Sequence, residues 1–492
     1  MSEVPYQRRF DRAVVRFQAR LEGGPGDRWI PTLVATALAA YLARVGLDRL
    51  EGLSTGVDLA SYSQGLWLLT ELIEPRASLF GTDVHLLEVR WSFILYPLAL
   101  PALFAPPAKV LIVAQAVALG LAVLPLWRLA REVAKLRVGA ASALVAAYAL
   151  HPATHRIAVD DFHPAVLAVP SLIGLAYFGA TKRWVGYWLC VAFTLACRAD
   201  LGLAVALWGL VLIGNGERRA GVWTLGIGWI YSLGLLLVGQ PLLGETGGAG
   251  RNTGYDGQSL ADLVVGSLRN PIDSVQTMLA QDNLALLVAL LAPVIFLPLL
   301  SLRHLWPALP LVGLYLLAGT AQTTPFAERA AMLLAFVMIA TTFALNRLGN
   351  MGVDRVFLDV RLLTTLAAAS LLLFMATSAT SPYEHPWDWN ERDETDRALA
   401  TAIESLDPEA PVRASPSALA ALSERPWVFP LATDTVPTAV NMGFPAFTRA
   451  VLMVERELPE RTQTERQEFD RFMSLQGFER TFDADGVVLY AR

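Results

Sequence analysis

The sequence predicts an all-α polytopic membrane domain followed by a small exoplasmic α/β domain. Three observations carry that prediction. Hydrophobic residues make up 54% of the 492-residue chain and charged residues only 17%, against about 25% charged in soluble domains. Apolar runs recur along most of the chain, several of them near the roughly 20 residues that a helix needs to cross a bilayer core. From Pro382 onward the pattern changes: this tail holds 20 acidic and 11 basic residues, with short β-patterned runs and turn signals.

Taken in order, the chain opens with Arg8, Arg9, Arg12, Arg16 and Arg20 at amphipathic spacing. Residues 1–29 read as a cytoplasmic lead-in and not as a cleavable signal, since no short apolar core follows. Apolar runs at 30–47, 108–127, 138–158, 164–180, 184–197, 201–214, 220–240, 283–301, 305–321, 329–346 and 361–378 predict about 11 transmembrane helices within residues 30–381. A first outer loop, 48–107, carries apolar pieces at 59–73 and 88–104. Pro97, Pro101, Pro106 and Pro107 interrupt the second piece. Proline removes a backbone donor, so this piece is expected to lie at the interface or re-enter. Cys190 and Cys197 share a helix face but sit too far apart to bridge, and read as packing residues.

Lys and Arg set the orientation. Arg128, Arg131, Lys135 and Arg137, then Lys182 and Arg183, then Arg218 and Arg219, then Arg303, then Arg347 and Arg355 fall in alternate connections. All become cytoplasmic if the N-terminus is cytoplasmic. The acidic tail is then exoplasmic, and the chain is a multi-pass protein of the cell (inner) membrane. Within residues 382–492 the patterning predicts helices at 393–406 and 463–475, and strands at 427–431 and 449–455. A hairpin from Phe478 to Tyr490 should turn at Asp485-Gly486. The lipid bilayer is the partner this composition implies; nothing in it suggests nucleic acid.

Polar clusters interrupt the apolar pattern, all on the outer side. They are Asp58 with Tyr62 and Gln64; Asp83-Val84-His85 with Glu88 and Arg90; Asp160-Asp161-Phe162-His163-Pro164; Arg198-Ala199-Asp200; and Glu328-Arg329. The fourth is the tip of a hairpin whose arms are each about 14 residues, about 21 Å at helical rise, against a core of roughly 30 Å. Arg198 and Asp200 are therefore expected within the membrane, where charge is costly unless paired or lining a wet cavity. Asp58 and Asp161 are candidate catalytic carboxylates, able to deprotonate a hydroxyl. Gln64, His163, Arg198, Asp200, Glu328 and Arg329 are candidate substrate contacts. Asp83, His85, Asp161 and His163 could together hold a divalent metal, Mg or Mn. His151 and His155 read as hydrogen-bonded helix residues.

These stretches resemble a prokaryotic membrane-protein family known as domain of unknown function 2079. The matching residues are Val57-Asp58-Leu59, Tyr62-Ser63-Gln64-Gly65-Leu66-Trp67, Thr82-Asp83-Val84-His85, Leu124-Pro125-Leu126-Trp127-Arg128-Leu129-Ala130-Arg131, Asp161-Phe162-His163-Pro164, Cys197-Arg198-Ala199-Asp200 and Asp485-Gly486-Val487-Val488-Leu489-Tyr490. That family is similar to the GT-C glycosyltransferases, which take a sugar from a polyprenyl-phosphate donor on the outer face. The resemblance implies a GT-C-like fold, a polyprenyl-phosphate sugar donor as partner, and Asp58 as the acidic residue of the first outer loop. Thr324-Pro325-Phe326-Ala327-Glu328-Arg329 departs from the family, which often has a His- and Tyr-containing stretch there. Two other readings compete: a transporter or flippase of a lipid-linked substrate, and a non-catalytic scaffold of an envelope assembly.

Overall fold

The computed structural model describes residues 26–80, 84–87, 91–234, 269–278, 281–317, 326–352, 355–431, 448–459 and 462–492. Most of the lead-in therefore lies outside the described residues, as do Asp83, Glu88 and Arg90. The protein is mostly helical, with several apolar helices and a small mixed sheet at the C-terminal end.

Among the described residues, four helices are long and apolar enough to cross a membrane: Gly26–Glu51, Pro107–Val133, Ala330–Leu348 and Val360–Glu384. Shorter apolar helices cover Pro164–Ala180, Trp184–Cys197 and Leu201–Gly214, so the short arms of the Arg198 hairpin are as the spacing predicts. Helix Phe326–Leu348 runs through the middle of the bundle, with the spanning part 78% buried against 22% for Val360–Glu384 at its edge. The hairpin of Leu201–Gly214 and Arg218–Gly234 closes through glycines: a Cβ on Gly209 would meet the Gly221 carbonyl oxygen at 2.6 Å. Small residues let membrane helices approach this closely.

Two expectations need correction. The run 138–158 is not one helix. It divides into Val138–Ala149 and Pro152–Val159, because Pro152 cannot continue the ladder; the His151 ring accepts the Ala153 N–H and starts the second piece. The runs 283–301 and 305–321 are not two straight spans either. Leu284–Val294 and Leu297–Gly313 meet at 87°, where Ile295 and Phe296 adopt left-handed backbone angles, φ 47° and 55°, that end a right-handed helix. The piece expected to lie at the interface holds a short helix, Leu95–Ala102.

The tail forms a five-stranded sheet. Its strands are β1 (Val412–Ala414), β2 (Val428–Pro430), β3 (Ala450–Val454), β4 (Glu479–Ala484) and β5 (Val487–Ala491), in the order β2-β1-β3-β5-β4. The first three are parallel and the last two antiparallel. The hairpin turns at Asp485 and Gly486 with φ of 47° and 78°, as a tight two-residue turn requires. Helices Glu394–Glu404 and Gln463–Leu475 match the expected positions, and each starts in a capping box, at Asp393/Asp396 and at Thr462/Glu465. Helix Gln463–Leu475 covers one face of the sheet with Phe469 and Met473. The other face, with Val412, Ala414, Leu452 and Leu489, joins the core of the membrane helices.

Polar bonds fix the tail to the segment that follows helix Gly26–Glu51. Gln64, on helix Val57–Thr70, is fully buried, and its Nε2 donates to Ser78 Oγ at 2.9 Å and to the carbonyls of Arg425 and Pro426 at 3.2 Å. Ser78 Oγ donates to the Val428 carbonyl at 2.6 Å and accepts the Val428 N–H at 3.0 Å. Ser423 Oγ reaches Ser63 Oγ at 2.8 Å. Gln64, expected as a substrate contact, is thus hydrogen-bonded within a buried seam. Arg392 Nε donates to the Glu51 carbonyl at 2.8 Å, and Tyr41 OH to the Thr380 carbonyl at 2.6 Å.

Removing one partner from such a seam strands the others, at a cost of about 1–3 kcal/mol per buried group. Gln64→Leu keeps the volume and deletes the amide. Limited proteolysis of the full chain should then cut residues 381–392 faster than in the wild type. Unchanged cleavage would mean that the seam does not hold the tail.

Candidate functional site

The site begins with a helix that cannot cap itself. Helix Val57–Thr70 follows Gly56, which has no side chain to accept the first orphan N–H groups. The acceptor comes from the connection after Val159. Asp161 Oδ1 accepts the Gly56 N–H at 2.9 Å, and Oδ2 accepts those of Asp58 at 3.1 Å and Leu59 at 3.3 Å. A negative charge at a helix N-terminus is favourable. A Cβ at position 56 would press against Asp161 Oδ2, so a side chain there would require the carboxylate to shift.

The loop carrying Asp161 is itself anchored. Gln115, buried in the span Pro107–Val133, donates to the Ile157 carbonyl at 3.1 Å and accepts the His163 N–H at 3.0 Å. Phe162 lies edge-on to Tyr62, 5.5 Å between centroids. Together these bring Asp58 and His163 side by side: Asp58 Oδ2 is 3.8 Å from His163 Nε2, with the Asp58 side chain 41% exposed and His163 1% exposed. Arg49, near the end of helix Gly26–Glu51, lies within electrostatic reach of Asp161 and Asp160.

Arg49 and the loop Gly52–Thr55 also line a cleft of about 540 Å³ against the tail, whose side carries Trp389, Glu391, Asp396 and Arg456. The cleft and the Asp161 cap flank the same short loop. Arg456 pairs with Asp393 at 2.6 Å and with Asp396. The Asp396 backbone N–H, with help from Arg456, holds the Asp393 carboxyl below the usual carboxylate range.

The remaining predicted residues are placed as follows. Arg198 and Asp200 bind one another through two parallel bonds, Nε to Oδ1 at 2.7 Å and Nη2 to Oδ2, with both residues buried. Pairing of this kind is what burial of two opposite charges requires. His85 Nδ1 accepts the Leu87 N–H at 3.1 Å. Asp83 lies outside the described residues, as do the side chains of Glu328 and Arg329 at the start of helix Phe326–Leu348. Both Asp161 oxygens accept backbone N–H groups, and no three His, Cys, Asp or Glu side chains among the described residues converge as metal ligands. Asp83, one of the four expected metal donors, lies outside those residues. His151 and His155 are hydrogen-bonded, to the Leu290 carbonyl at 3.1 Å and to the Ala149 carbonyl at 2.7 Å. Cys190 and Cys197 are unbridged.

Gln115, Gly56 and Arg49 escaped the sequence reading. Gln115 had a signal, a lone amide inside an apolar span, where polar groups are costly unless bonded.

The profile of the family described as "Predicted membrane protein (DUF2079)" matches residues 49–489. No curated protein matches the chain. Among solved structures, ArnT from Cupriavidus metallidurans, bound to undecaprenyl phosphate, is similar over 93% of this chain and 97% of its own, at 13% identity and a TM-score of 0.55. That likeness is one of fold.

The cap makes a specific prediction. Asp161→Ala should destabilise the start of helix Val57–Thr70 by about 1–2 kcal/mol. Asp161→Asn, which keeps one carbonyl acceptor, should cost less. Thermal unfolding of the purified chain in detergent would show wild type, Asn and Ala in descending order. Equal melting of Ala and wild type would remove the capping role.

Proposed function

The chain belongs to that family of predicted membrane proteins, and on that footing we propose that it transfers a sugar from a polyprenyl-phosphate donor to an acceptor hydroxyl, with Asp58 as general base. One observation supports this reading above the rest. Asp58 keeps a 41% exposed carboxylate beside His163, while Asp161 is occupied in holding the backbone that carries it. The fold shared with ArnT, which was solved with undecaprenyl phosphate, and the GT-C resemblance support the donor class.

In this reading the acceptor oxygen attacks the anomeric carbon as Asp58 takes its proton. The sugar–phosphate C–O bond breaks, and polyprenyl phosphate leaves with the electron pair. Arg49, lining the cleft next to the cap, is the guanidinium suited to the phosphate charge. Arg198 meets the reaction already neutralised by Asp200, so it shapes the hairpin tip. Glu328 and Arg329 stay proposed substrate contacts at the mouth of their helix. No step is assigned to a metal.

The same reading puts the N-terminus in the cytoplasm and the tail outside the inner membrane. The bent pair Leu284–Val294 and Leu297–Gly313 favours the competing transporter reading, since broken helices build transport sites.

Asp58→Asn should lower release of polyprenyl phosphate from lipid-linked sugars by about a hundredfold or more, with expression unchanged. It should leave binding of undecaprenyl phosphate near the wild-type level, whereas Arg49→Gln should weaken that binding. Full turnover by Asp58→Asn, with transport of the lipid-linked sugar in vesicles, would move the assignment to the transporter. Compartment reporters fused at residues 5 and 492 should report opposite sides; the same side for both would overturn the shared outer face.

A further inference from the structure

A second cavity lies away from this site, among Pro107–Val133, Val169–Ala180 and Trp184–Cys197. It is a groove of about 620 Å³ with apolar walls that include Leu121, Leu124, Phe178, Leu189 and Phe193. Leu121, Leu189 and Phe193 are 46%, 66% and 41% exposed, which places the open side of the groove toward lipid. From the N-cap Arg183 to Phe193 the lining runs ten residues along helix Trp184–Cys197, about 15 Å.

We propose that this groove holds one acyl chain of an anionic phospholipid, whose phosphodiester sits between Arg128 and Arg183. The charged groups gather at one end, because Pro107–Val133 carries Arg128 near its close, Val169–Ala180 ends there and Trp184–Cys197 begins there. Arg128 donates to Glu132 Oε1 at 2.6 Å. Tyr177 OH donates to Glu132 Oε2 at 2.7 Å and accepts from Arg183 at 2.5 Å. Arg183 Nη2 is 3.4 Å from the same carboxylate. Two guanidinium groups thus share one carboxylate, leaving one net positive charge at the mouth, which matches the single charge of a phosphodiester. Their side chains stay 54% and 58% exposed, so donors remain turned outward. Adjacent Lys182 adds no charge, being paired with Glu217 at 2.6 Å. Arginine reaching from apolar surroundings to the headgroup level is the expected behaviour of long cationic side chains. The proposal rests on the helices lying in a bilayer and is independent of the transferase reading.

The test uses the full-length protein in detergent, offered phosphatidylglycerol and phosphatidylcholine of equal chain length, with native mass spectrometry as the readout. Wild type should retain one phosphatidylglycerol with a preference of about fivefold, the factor that one net cation near a membrane surface supplies. Arg128→Gln with Arg183→Gln should reduce that preference to parity. Leu124→Trp, which narrows the groove and leaves both arginines, should lower retention of both lipids and keeps the test decisive if the double variant fails to fold. Soluble glycerol phosphate should not displace the lipid. Equal retention of the two lipids by wild type, undiminished lipid retention by Leu124→Trp, or displacement by glycerol phosphate would each overturn the proposal.

Discussion

Asp161 joins two parts of the chain that sequence keeps about a hundred residues apart. Its carboxylate accepts three N–H groups at the start of helix Val57–Thr70, and the rest of the candidate site follows from that. The cap fixes where the helix begins, hence where Asp58 stands in its first turn. The same loop brings His163 beside Asp58, and Gln115 keeps the loop from sliding. A conventional cap such as serine at position 56 would satisfy the helix locally and remove the need for Asp161, whose carboxylate would have to shift to make room. The bare glycine makes the helix depend on a distant acid, and that dependence assembles the site.

The same helix carries the tail on its other side. Gln64 and Ser78 bond to the backbone around Pro426 and Val428, and one face of the sheet shares a core with the membrane helices. The tail is therefore no tethered ornament. Its cleft wall, with Trp389 and Glu391, meets the loop Gly52–Thr55 at the mouth of the site.

Much of this architecture was legible in the sequence, for identifiable reasons. Helices at 184–197, 201–214 and 463–475 have boundaries set by strong local signals, and the Asp485-Gly486 turn needs the left-handed angles that those residue types tolerate. The break at Pro152 carried a signal that hydropathy averaging overrode. The bend at Ile295 and Phe296 had Pro293 and Pro298 on either side as a signal, but bulky apolar residues are the last expected in a left-handed conformation. Strand Val412–Ala414 is three residues long and gains its place only from its two neighbours. Of the candidate site, Asp58, Asp161 and His163 stood out by type. Their roles did not, because the partners of Asp161 are backbone N–H groups, which every segment of the chain offers equally.

The seam between Gln64 and the tail also bears on how such a chain is built. Synthesis runs from the N-terminus, so Ser63, Gln64 and Ser78 enter the membrane region long before Ser423, Arg425, Pro426 and Val428 exist. Until the last strands arrive, a buried amide and its hydroxyl neighbours lack the carbonyls that complete them. The finished sheet is what turns this patch from a polar surface into an interior. A chain truncated before residue 423 would carry that patch permanently open, a built-in mark that distinguishes an incomplete molecule from a complete one.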